Sequence, residues 1–139
     1  MRQTLLKDLD QCSCSGKSLA RLVQPAVMAI LARRAAHGYA IAQRLGKLAM
    51  FRCQPPDHTG IYRLLKNMED GGLVVSSWDL ADSGPAKRRY RLTPRGRACL
   101  GRWARTLEDY RQAVAELLDM LRAPPGRSPK GTPCKNARR

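Results

Sequence analysis

Apolar positions recur along this chain in two periods, and the switch between them outlines the fold. Leu19, Leu22, Val23, Ala26, Val27, Ile30 and Leu31 form one face of an amphipathic helix. Pro25 interrupts that face. Proline lacks an N–H and crowds the preceding turn, so the pattern predicts a short helix ending near Val23 and a second from Pro25 to Arg34. Ala35 to Gly38 reads as a connector, after which Gly38 opens a helix with Ile41, Leu45 and Leu48 turned inward. A short link, Ala49 to Pro56, leads to Asp57, a cap for a helix that carries Ile61, Leu64, Leu65 and Met68 at i, i+3, i+4, i+7 spacing. Gly71 and Gly72 stop it. The period then changes: Leu73 to Leu80 is rich in apolar and β-branched residues, Arg88 to Leu92 alternates as a strand with one wet face does, and Ser83-Gly84-Pro85 turns the chain between them. Trp78 and Tyr90 fall within these strands as core or cross-strand partners.

Thr93-Pro94 starts the longest helix, with Thr as cap and Pro at the first helical position, running to about Arg122. Leu100, Trp103, Leu107, Tyr110, Val114, Leu117 and Leu121 alternate steps of three and four along it, the spacing of a coiled-coil seam. At 1.5 Å per residue such a helix is about 40 Å long, more than a domain of this size covers, so its outer half calls for a second copy. The expected fold class is therefore mostly α with a small β-hairpin wing: a winged helix-turn-helix plus a long C-terminal dimerisation helix. The expected organisation is a flexible N-terminal arm at 1–16, the winged domain at 17–93, the dimerisation helix at 94–122 and a disordered basic tail at 123–139.

Charge turns this architecture toward a partner. Lys and Arg number 26 against 11 Asp and Glu, a net +15 with a sequence pI near 10.5, which favours a polyanion. His58, Thr59, Tyr62, Arg63 and Lys66 lie opposite the apolar face of the helix after Asp57, where hydroxyls and cations reach phosphates or base edges. Lys87, Arg88 and Arg89 at the hairpin suit phosphates, and Tyr39, Arg44 and Lys47 can hold the backbone from the preceding helix. Double-stranded DNA is the expected partner. No apolar run approaches the roughly 20 residues of a membrane span, and the N-terminus lacks a signal-peptide pattern, so a cytoplasmic protein with no membrane partner is expected.

In this order the residues resemble the PadR family of prokaryotic transcriptional regulators. The resemblance rests on His37-Gly38-Tyr39, on Gly60-Ile61-Tyr62 followed by Leu64-Leu65, and on Met68-Glu69-Asp70-Gly71-Gly72-Leu73-Val74. It continues through Gly84-Pro85-Ala86-Lys87-Arg88-Arg89-Tyr90-Arg91-Leu92-Thr93-Pro94-Arg95-Gly96, and spans roughly Pro25 to Leu121. It implies a dimeric winged-helix repressor that binds a pseudo-palindromic operator, dimerises through its C-terminal helix and answers to a small-molecule or stress effector. Arg63 departs from the Pro or Ala that family members often carry after the tyrosine, adding a cation to the DNA-facing side.

Five cysteines, Cys12, Cys14, Cys53, Cys99 and Cys134, make a poor disulfide framework. No cofactor is required. Cys12 and Cys14 are nonetheless one residue apart and could share a soft metal with Cys99, Cys53, His37 or His58, giving a metal or redox sensor. Trp103 and Tyr110 across a dimer axis could instead line a pocket for a flat effector. A thiol redox enzyme built on Cys12 and Cys14 is the rival from another class, but neither a helix N-terminus nor a histidine is firmly placed beside those thiols. No Gly-rich phosphate loop, Ser-His-Asp set or carboxylate pair points to an enzyme.

Overall fold

The helix cap at Asp57 and the glycine pair after Asp70 delimit the central helix as the sequence predicts. In the computed structural model, which describes residues 21–80, 84, 86–124 and 126, seven elements follow one another. They are α1 (Val23–Arg33), β1 (Ala36–His37), α2 (Gly38–Lys47), α3 (His58–Asp70), β2 (Val74–Asp79), β3 (Lys87–Leu92) and α4 (Pro94–Arg122). The described residues up to Gly101 form one compact unit and those from Arg102 a second, so the first turns of α4 belong with the winged unit. Among the described residues no helix is long and apolar enough to cross a membrane.

Helix α1 corrects the expectation of a break at Pro25. Pro25 is buried in the third position of one continuous helix. The first-turn N–H groups of a helix have no internal partner, so the missing donor costs nothing there, and the residue its ring would crowd precedes the helix. The connector expected at Ala35 to Gly38 contains instead the two-residue strand β1, paired antiparallel with β3 through Ala36 opposite Tyr90 and His37 opposite Arg89. Strand β3 lies in the middle of a three-stranded sheet, with β2 on its other side in a register that runs from Val74 opposite Leu92 to Asp79 opposite Lys87.

Apolar side chains from α1, α2, α3 and the three strands meet in one core. Val27, Met28 and Leu31 of α1, Ile41 and Leu45 of α2, and Ile61, Leu65 and Met68 of α3 are buried with Ala36, Val74, Tyr90 and Leu92 of the sheet. Phe51, from a single 3-10 turn at Ala49–Phe51, closes the link side, a core position the sequence pattern did not single out. Leu48 is exposed rather than inward: the backbone leaves the helix at Leu48 with extended dihedrals, so the α2 stripe ends at Leu45.

The C-terminus of α3 ends in a Schellman turn. Gly72, at φ +75°, donates its N–H to the Glu69 carbonyl and Leu73 donates to Met68, a geometry that glycine adopts without a Cβ penalty. The Leu73 carbonyl then accepts from the Thr93 N–H at 3.1 Å, while the Thr93 hydroxyl lies 2.6 Å from the Gly72 carbonyl and accepts from Gly96 N–H at 3.0 Å as the cap of α4. Gly96 sits so close that a Cβ there would collide with the Leu73 carbonyl. Gly101, one and a half turns further on, has open space around it.

Gly96→Ala is therefore expected to lower stability by about 2 kcal/mol, the usual cost of forcing a packed backbone apart. Gly101→Ala is expected to raise it by about 1 kcal/mol through helix propensity alone. Denaturant unfolding of the two variants beside the parent checks both, and equal effects would refute the assigned contact.

Candidate nucleic-acid interface

The exposed side of α3 is held in place from its first turn. The Asp57 carboxylate accepts from Gly60 N–H at 3.2 Å, and Gly60 leaves the room that this close carboxylate needs. With Ile61, Leu65 and Met68 buried, His58, Thr59, Tyr62, Arg63 and Lys66 all face solvent, as the sequence pattern predicts. Two of them also join α3 to α2. The Tyr62 ring lies against the backbone of Gly38, where a Cβ would overlap it, and the His58 ring stacks on Tyr39 at 5.9 Å between centroids and 25° between planes. Gln43 donates to the Tyr39 hydroxyl at 3.2 Å. The outcome is an exposed aromatic surface that runs across both helices, flanked by Arg63 and Lys66.

The hairpin cations, equivalent in the sequence, have different surroundings. Period-two alternation puts Arg88 on the sheet face shared with Tyr90 and Leu92, and Lys87 and Arg89 on the other. On that outer face Asp79 gathers two partners through one oxygen, His37 Nε2 at 3.0 Å and Arg89 Nη2 at 3.1 Å, linking all three strands. A carboxylate only accepts, so the imidazole nitrogen donates. On the inner face the Arg88 guanidinium lies over the Trp78 ring, 5.3 Å from its centroid. Neither Asp79 nor the half-buried His37 was visible in the sequence as part of this cluster; the register of β1 on β3 is the signal that brings them together.

Between α3 and the hairpin runs a groove of about 490 Å³, lined by Tyr62, Lys66, Asp70, Trp78, Arg88 and Tyr90. At this edge of α3 the Ser76 hydroxyl donates to the Glu69 carboxylate at 2.9 to 3.0 Å. Burial pushes the Tyr90 hydroxyl above its ordinary range, with the Arg88 charge opposing, so it stays a neutral hydrogen-bonding group.

The predicted seam on α4 divides. Leu100, Trp103 and Leu107 are partly covered, whereas Tyr110, Val114, Leu117 and Leu121 are exposed. Leu118 and Met120 beside them are exposed too, so the apolar stripe is broader than the a/d seam read from the sequence. Cys12, Cys14 and Cys134 lie outside the described residues. Cys99 is half-buried on α4 and Cys53 exposed, and among the described residues no three His, Cys, Asp or Glu side chains group as a metal site.

Residues 27–102, more than half of the 139, match the transcriptional regulator PadR-like family. The chain belongs to the PadR family. Its solved structural relatives carry the same winged helix. A PadR family regulator from Eggerthella lenta is 25% identical with a TM-score of 0.61, over 76% of this chain and 93% of that one. A protein from Thermoplasma acidophilum described as a transcriptional regulator is 27% identical with a TM-score of 0.61, over 74% of this chain and 96% of that one. Bacillus subtilis PadR, solved in complex with operator DNA, is 25% identical with a TM-score of 0.54, over 60% of this chain but 47% of that one. No curated protein sequence matches the chain. This PadR-family chain is thus a transcriptional regulator with a winged-helix DNA-binding fold.

Because Asp79 neutralises Arg89, Asp79→Asn is expected to release a cation. Binding to duplex DNA over a salt series should then steepen by about one unit of log–log slope, and Arg89→Ala should remove less slope than Lys87→Ala. Identical slopes in parent and Asp79→Asn would place Arg89 out of reach of the phosphates.

Proposed function

We propose that the protein is a cytoplasmic homodimeric repressor that binds a pseudo-palindromic operator, with half-sites about one helical turn apart, and is released by an effector. The observation that carries this reading is the exposed row of Thr59, Tyr62, Arg63 and Lys66 on a capped helix beside a cationic hairpin. Helix α3 enters the major groove, where Arg63 reads a base edge and Lys66 and Thr59 hold phosphates. Lys87 and Arg88 add contacts from the hairpin, with Arg89 a weaker one because Asp79 offsets its charge. The operator-bound structure of the B. subtilis relative supports DNA as the partner.

The dimer rests on α4. Val114 is 61% exposed and Leu121 76%, on a helix too long for its own unit to cover. A second copy of the helix is the partner that completes it, and an effector acting along this shared stripe would shift the two reading helices relative to each other.

Val114→Glu with Leu117→Glu is expected to give a folded monomer by sedimentation, since both positions are exposed, and to weaken binding to the selected operator at least tenfold by loss of the second half-site. Retained dimerisation and affinity would refute this interface. Arg63→Ala is expected to weaken the operator by about 2 kcal/mol while leaving binding to random duplex nearly unchanged, measured by fluorescence anisotropy.

A further inference from the structure

Tyr39, in the first turn of α2, is 60% exposed, yet neighbours fix it on two sides. Its ring stacks on that of His58, the first residue of α3, at 5.9 Å between centroids and 25° between planes. Its hydroxyl oxygen accepts the Gln43 Nε2 N–H at 3.2 Å, from four residues further along the same helix. Beside this pair the Tyr62 ring rests on Gly38, so α2 and α3 are held close where both begin. A phenolic hydroxyl carries one proton as well as its lone pairs. Gln43 takes up a lone pair, and among the described residues nothing accepts the proton. The O–H is therefore an unused donor, on an exposed and oriented side chain of the helix that precedes the reading helix.

We propose that Tyr39 donates this hydrogen bond to a DNA phosphate, with Gln43 and His58 as positioning residues that keep the hydroxyl a donor and the ring in place. The inference rests on the DNA-binding reading above. In a helix-turn-helix the first helix crosses the sugar–phosphate backbone while the second enters the groove, so the acceptor that meets α2 is a phosphate oxygen. An O–H bonded to an anionic oxygen is charge-assisted, and its strength depends on a well-aimed donor. Fixing ring and hydroxyl before binding removes the loss of side-chain freedom that a mobile tyrosine would suffer. A phenolic O–H brings no charge, so this contact releases no counterion. Its contribution stays constant as salt rises, whereas that of a lysine on a phosphate declines. It holds the chain in register on the duplex without reading a base.

The test takes a duplex selected from a random pool with the full chain and replaces its backbone phosphates, one at a time, by uncharged methylphosphonate. Tyr39→Phe keeps the ring but lacks the hydroxyl, and is expected to bind about tenfold more weakly at every salt concentration, with the log–log salt slope unchanged. At one phosphate in each half-site, methylphosphonate should weaken the parent several-fold more than it weakens Tyr39→Phe. Gln43→Met, of similar length but without a donor, is expected to cost about threefold in the parent and nothing in the Tyr39→Phe background. The loss caused by Tyr39→Phe should persist beside His58→Phe, which keeps a ring for the stack, and shrink beside His58→Ala. Parent-like binding by Tyr39→Phe, or methylphosphonates that weaken both proteins alike at every position, refutes the phosphate contact. A Gln43→Met cost that is the same in both backgrounds refutes the positioning role. Either result leaves α3 recognition standing, whereas a pool that yields no enriched sequence overturns both.

Discussion

One carbonyl, that of Leu73, carries the junction on which the winged unit depends. It sits where α3 has just ended, accepts the backbone N–H of Thr93 at the far end of the hairpin, and rests against Gly96 in the first turn of α4. The end of α3 and the start of α4, some twenty residues apart in sequence, are thereby fixed against each other. Thr93 serves both sides, its hydroxyl donating toward the end of α3 and accepting from Gly96 as a helix cap. With this junction, the angle between α3 and the hairpin becomes a property of the backbone, as a preorganised binding surface requires.

The same economy governs charge. A chain with net +15 could present its cations anywhere, yet the carboxylates near the reading surface are mostly occupied in structural roles. Asp57 caps α3, Glu69 holds Ser76, and Asp79 ties Arg89 and His37 into the sheet. Arg89 offsets the charge of Asp79, whereas Asp57 and Glu69, bonded to neutral donors, keep their full negative charge beside α3. Residues 107–121 of α4 show the opposite balance, with Glu108, Asp109, Glu116 and Asp119 against Arg111 alone, −3 by one minus four. The remainder of the chain then carries +18, of which residues 21–106 hold +11 and residues 122–139 hold +6, so a polyanion is favoured away from the outer half of α4.

Much of this was legible in the sequence because local chemistry agreed with the final packing. Asp57, Gly72 and Thr93 announce helix ends through side chains or backbone freedom that act within three residues, and the ends fall there. The exposed face of α3 followed from its apolar stripe. What escaped notice depends on distant partners. Strand β1 is two residues long, too short for any period, and exists because β3 offers it an edge. Pro25 looked like a break because its effect depends on where the helix starts, which lies upstream of it. Trp78, expected as core or as a cross-strand partner, is the cross-strand partner of Arg88 and not core, because alternation gives the face of a strand position while burial also depends on how far the strand outruns the core. The unequal surroundings of Arg88 and Arg89 follow from strand register, which no single strand encodes.

Strand register and helix period also bear on what covers α4. The seam residues from Leu100 to Leu121 alternate by three and four, and taken alone that spacing describes two helices meeting along a narrow line. The positions flanking the seam in its outer half, however, are Ala113, Leu118 and Met120, with Arg111 the one charge among them. All four acidic residues of that half fall on the opposite side, and Glu108 is held below the ordinary carboxylate range there by its bond to Arg111. Charged flanks would confine contact to a single line, whereas apolar flanks leave it open to a second surface. An exposed stripe widened by Leu118 and Met120 is thus broader than the narrow line of a simple two-stranded coil. The acidic side, on the opposite face of the helix, stays hydrated.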